Sequence, residues 1–84
     1  MITLDKIAVY KRYGGDIDGL ARVGTAEEKQ IISDSDWFDI EALLQYYALK
    51  KKGLLGDDYR SALEIKFGET LADAVVAAEL ERMA

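Results

Sequence analysis

Seven glycines and no proline set the grain of this 84-residue chain. The glycines fall at positions 14, 15, 19, 24, 53, 56 and 68, and the stretches between these marks are of helix length. Absence of proline removes the strongest breaker of helices. No run alternates apolar and polar residues over five or more positions, so strands have little support. These features predict an all-α protein. The length fits one domain, residues 1–84, which buries roughly 60–65% of the surface its unfolded chain exposes. There is no cysteine to staple it, so packing or a partner must hold it together. We therefore expect a compact bundle of five to six short helices around a central one.

Local start and stop signals place the helices. Thr3 is a candidate N-cap for a helix over 4–13 that buries Ile7, Ala8, Tyr10 and Tyr13, and Gly14-Gly15 supplies the left-handed turn that ends it. Asp16 to Val23 reads as a short helix closed by Gly24. Thr25-Ala26-Glu27-Glu28 is a capping box opening about two turns through Ile32. Ser33-Asp34-Ser35-Asp36 starts the best-supported helix, about 36–52. Its apolar residues cover more than one stripe, so it should be buried on two sides, with Trp37, Ile40, Leu44 and Tyr47 at the centre of the fold. Lys50-Lys51-Lys52 suits its carbonyl end, Gly53 its C′ position, and Leu54 can fold back onto the last turn. Gly56-Asp57-Asp58 opens a further helix that Gly68 ends or kinks. Thr70-Leu71-Ala72-Asp73 reads as one more start, for a helix to Arg82. On this reading all three threonines of the chain sit at helix starts.

Composition excludes much chemistry. Without His or Cys there is no imidazole acid/base pair, thiol nucleophile or Cys/His zinc site. Sixteen acids against eleven bases give a formal charge of −5, which opposes binding to nucleic acid or an anionic membrane. Residues 31–49 carry four acids and no base, whereas 50–66 carry five bases and three acids. No segment approaches the ~18 consecutive apolar residues of a membrane span. Met1 to Arg12 lack an unbroken apolar stretch, so no signal peptide is expected. Cysteine-free composition fits a cytoplasmic setting.

The densest acidic group is Asp34, Asp36, Asp39 and Glu41. Two readings compete with simple solvation of a helix start, where the macrodipole favours acids. Asp36 and Asp39, at i and i+3, fall on one face and can share a hard cation, which leads to a divalent-metal-dependent enzyme subunit using Asp34, Asp36 and Asp39. Alternatively the block is a docking patch, with Phe38 and Tyr46 as aromatic anchors. Gly15-Asp16-Ile17-Asp18-Gly19 resembles a calcium loop, but no register puts oxygens at positions 1, 3, 5 and 12 with Gly at 6. Those aspartates read as caps. The basic cluster Lys50-Lys51-Lys52, Arg60 and Lys66 straddles a helix–turn–helix spacing, the basis of a DNA-binding alternative. Asp57 and Asp58 would then face phosphates from the end that reads bases. Ala72, Ala74, Val76, Ala77 and Ala78 give the final helix a smooth surface on which a homodimer can form.

Asp39 to Phe67, in the order helix, Gly-Leu-Leu, Asp-Asp-Tyr, helix, is similar to the short helical hairpins called SHOCT domains. Here Tyr59 comes one residue early and Gly56 stands where that pattern has a Ser or Thr cap. The resemblance covers about a third of the chain and implies oligomerisation or interaction. Taken together, the sequence leads us to expect a non-catalytic, cofactor-free, acidic cytoplasmic protein that binds another protein with a basic surface. An inhibitor, an immunity or antitoxin-type factor, or a small regulator would fit. The candidate contact residues are Asp34, Asp36, Asp39, Glu41, Phe38 and Tyr46.

Overall fold

Six helices and no strand make up the computed structural model, which describes residues 1–84: α1 Leu4–Arg12, α2 Ile17–Val23, α3 Ala26–Ile31, α4 Asp34–Lys51, α5 Asp57–Ala72 and α6 Ala74–Met83. The protein is an all-α bundle built around α4, which packs against α1, α5 and α6. It measures 39 × 22 × 19 Å.

Two capping boxes form as the sequence dictates. Thr25 Oγ1 accepts from the Glu28 amide at 3.0 Å, and Glu28 Oε1 accepts from the Thr25 amide at 3.0 Å. Ser33 and Asp36 repeat the arrangement at 3.1 Å in both directions. That box starts α4 at Asp34, two residues ahead of the expected boundary. The far end of α4 closes in a Schellman motif: Gly53 N–H donates to Lys50 O and Leu54 N–H to Leu49 O, with Gly53 at φ +69°. Gly14 and Gly15, at φ +57° and +81°, end α1 with the same pair of bonds to Lys11 O and Tyr10 O.

Several expectations need correction. Thr3 and Asp16 occupy N-cap positions, but neither side chain makes a cap bond. Ala8 is exposed, and α1 buries Ile7 and Val9 instead, with Tyr10 and Tyr13 half-buried. Leu54 is solvent-exposed, and Leu55 packs on the core in its place. The Thr70 start does not exist. Helix α5 runs through Gly68 to Ala72 with a kink at Phe67 (φ −114°, ψ 23°), and Thr70 is buried inside it. The true start is Asp73, whose Oδ1 accepts from the Val75 and Val76 amides at 3.1 and 3.3 Å. A threonine three residues before an acid matches the capping pattern, but here the apolar side of α5 captured the threonine.

The core lies between α1, α4 and α6. Trp37, Ile40, Leu43 and Leu80 have no exposed surface, and Ile7 has 1%. Leu43, not Leu44, completes the α4 contribution; Leu44 is only partly buried. The α4 positions 37, 40, 43 and 47 share one face at helical spacing. Tyr10 packs against Trp37 with ring centroids 4.6 Å apart. The Trp37 indole N–H is buried without an acceptor, at a desolvation cost of about 1–3 kcal/mol. Val76 and Leu80 turn the apolar face of α6 inward, so that face is filled from within the chain.

Gly24 marks a close approach rather than a special dihedral. A Cβ there would lie 2.4 Å from Leu20 O and 2.7 Å from Leu20 Cδ1. Gly24→Ala should therefore destabilise by about 1–3 kcal/mol, as overpacking does. A thermal melt matching the parent's would show that the α2 terminus relaxes freely.

Candidate functional site

Helix α4 carries the expected contact residues, and its 100° per residue separates them into two groups. Asp34, Phe38 and Glu41 are all exposed, and Asp34 and Glu41 lie one turn before and after the Trp37-Phe38 pair, at the flank between buried Trp37 and outward Phe38. Phe38 keeps 56% of its surface in solvent. Asp34 and Glu41 have no ion-pair partner. Their spacing from Phe38, i−4 and i+3, puts one carboxylate on each side of the ring. Gln45 extends this outer face by one more turn.

Asp36 and Asp39 belong to the interior side and are already engaged. Asp36 caps Ser33 and pairs with Lys6 Nζ at 3.1 Å. Burial works to raise its pKa, but the Ser33 amide and Lys6 together outweigh that and hold it below the ordinary carboxylate value. Asp39 lies 3.5 Å from Lys66 Nζ. Tyr46 is 4% exposed, stacks edge-on against Tyr47 and donates its hydroxyl to Glu64 Oε1 at 3.2 Å. Tyr46 is thus a core residue bridging α4 to α5. Asp34, Asp36 and Asp39 do not converge, and no three Asp or Glu side chains gather where a metal ion could be held.

The basic cluster is largely occupied too. Lys51 Nζ donates to Glu81 O and Ala84 O at 2.8 and 3.0 Å, fastening the end of α6 to α4. Arg60 pairs with Asp57 and Lys66 with Asp39. Asp57 and Asp58 stand exposed at the start of α5. No helix is long and apolar enough to cross a membrane.

One polar cluster escaped the sequence reading beyond its capping role. Glu28 is buried to 7% exposure, and its carboxylate accepts from three partners: the Thr25 amide of the capping box, the Tyr13 hydroxyl at 2.7 Å, and the Arg12 guanidinium, which is also its ion pair. It ties the end of α1 to the start of α3. The Thr25 amide, the Tyr13 hydroxyl and Arg12 lower its pKa from 4.5 to about 2. A depressed carboxyl stabilises the fold above its unfolded pKa, and that contribution fades as pH falls toward the folded value. Stability should accordingly decline between about pH 4.5 and pH 2, with Asp36 and Glu79, both also lowered, adding in the same direction. Glu28→Gln should flatten this acid slope in urea titrations at stepped pH. An unchanged slope would place the acid sensitivity elsewhere.

No family model matches the chain, and neither a curated protein nor a solved structure is significantly similar to it. The likeness of residues 39–67 to a SHOCT hairpin thus rests on those residues alone.

Proposed function

We propose that this protein is a non-catalytic binding module that docks a second protein through the outer face of α4. The observation that carries this reading is Phe38, a large aromatic more than half exposed in a small bundle, flanked by two carboxylates without cationic partners. Aromatic side chains that become fully buried at the centre of an interface dominate its energetics. Unpaired acids beside them steer a basic surface toward the ring and set its register. A protein inhibitor, immunity-type factor or small regulator in the cytoplasm acts in this way. Asp36, Asp39 and Tyr46 support the surface from below: they fix α4 against α1 and α5 and leave Phe38 on a rigid element.

Photo-crosslinking tests it. A benzophenone side chain at position 38, in the source cells, should trap a discrete protein adduct, and Asp34→Lys with Glu41→Lys should abolish it. Both substitutions lie outside the ion pairs and the core, so circular dichroism should be unchanged. Absence of an adduct, or an adduct indifferent to the charge reversal, would remove this face as the docking surface.

A further inference from the structure

A second surface, to which Phe38 does not contribute, surrounds Met1 and Ile2. Two open hollows adjoin there, because Met1 and Ile2 line both. One, about 610 Å³, runs along the kink of α5 and includes Ile65 and Phe67. The other, about 460 Å³, lies between the start of α1 and the start of α6 and includes Leu4 and Val75. Four of the chain's exposed large apolar side chains are gathered at these hollows: Ile65 (85% exposed), Met1 (73%), Val75 (62%) and Leu4 (44%). Single exposed apolar residues are ordinary, but several around adjoining concavities are not.

Once pairs are removed, carboxylates outnumber cations around the hollows: the Met1 ammonium is the one unpaired cation lining them. The only lysine lining either hollow, Lys66, is paired with Asp39. Asp5, Glu69 and Asp73 have no ion-pair partner; Asp73 accepts only from backbone amides. Three carboxylates against one ammonium therefore leave the apolar floor in a net negative surround. A second copy presenting the same surface would set like charge against like charge, and an anionic lipid headgroup would be repelled in the same way. The complementary occupant has apolar side chains to fill the hollows and Lys or Arg beside them.

We infer that the paired hollows around Met1 and Ile2 are a docking site for a basic amphipathic helix of another protein. Its apolar stripe lies over Ile65 and Val75, and its cations face Asp5, Glu69 and Asp73. This is the helix-in-groove mode of recognition. The site is separate from the α4 face and stands whether or not Phe38 docks anything.

The probe is a synthetic Leu/Lys amphipathic peptide of about 14 residues, roughly four helical turns, titrated into the full chain with methyl NMR and calorimetry. Shift changes should concentrate at the Ile65, Val75 and Leu4 methyls. Ile65→Asp with Val75→Asp should weaken binding about tenfold or more, through lost apolar contact. The sign of that change is decisive: both substitutions add negative charge, so attraction by diffuse charge alone would strengthen. Asp5→Lys with Glu69→Lys should weaken binding as well, Phe38→Asp should leave it unaltered, and a Leu/Glu peptide of the same pattern should not bind. The proposal falls if the double aspartate variant binds as tightly as the parent, if the Leu/Glu peptide competes, or if sedimentation shows a dimer that these substitutions dissolve.

Discussion

Trp37→Ala is expected to cost about 3–5 kcal/mol, the range for removing a fully buried tryptophan. A chain of this length has a total stability on the order of 4–12 kcal/mol, so the variant should sit at or near the edge of unfolding. Trp37 has no exposed surface, packs against the Tyr10 ring and lies where α1 meets α4. Its loss opens a cavity that short capped helices cannot close without shifting. Trp37→Phe should be milder than volume alone suggests, because it also removes an indole N–H that has no acceptor. Urea denaturation followed by far-ultraviolet circular dichroism measures both. A midpoint shift worth less than about 1 kcal/mol for the alanine variant would show that Trp37 is not the packing centre.

Leu80→Ala is the second large effect, about 2–5 kcal/mol. Helix α6 touches α1, α4 and α5, and Leu80 is its one residue without exposed surface. Truncating it loosens three neighbours together. Trp37, the only tryptophan, reports the change: its fluorescence should shift toward that of a solvated indole at lower urea than in the parent. Ile65→Ala is the internal contrast. Ile65 is 85% exposed, and its truncation should change stability by no more than about 0.5 kcal/mol. Equal effects from the two substitutions would mean that Leu80 does not anchor α6 in the core.

The contact residues on α4 divide for a reason that one helix cannot supply. Helical spacing separates Phe38 from Trp37 by about 100°, enough for one to be buried while the other faces outward. Tyr46 and Tyr47 obey the same spacing, yet both are buried, at 4% and 5% exposure. Helices α5 and α6 both cover α4, and Glu64 receives the Tyr46 hydroxyl. The acids divide similarly. Asp36 and Asp39 read as members of one acidic block, but Lys6 of α1 and Lys66 of α5 neutralise them. Asp34 and Glu41 meet no such partner. The acids of this block left without an ion pair are those that no lysine or arginine of another helix reaches.

What sequence alone determined is short-ranged. The all-helical class, the two capping boxes and the glycine-closed ends of α1 and α4 depend on bonds between residues three to five apart, and side-chain type at that spacing specifies them. Tertiary structure decided the rest. It buried Thr70 and left Asp73 to begin α6, placed Leu43 rather than Leu44 at the centre, gathered Arg12 and Tyr13 on Glu28, and brought Met1, Ile65 and Val75 to one surface. These outcomes compare the burial and pairing of groups far apart along the chain, and such competition is resolved only when the helices meet.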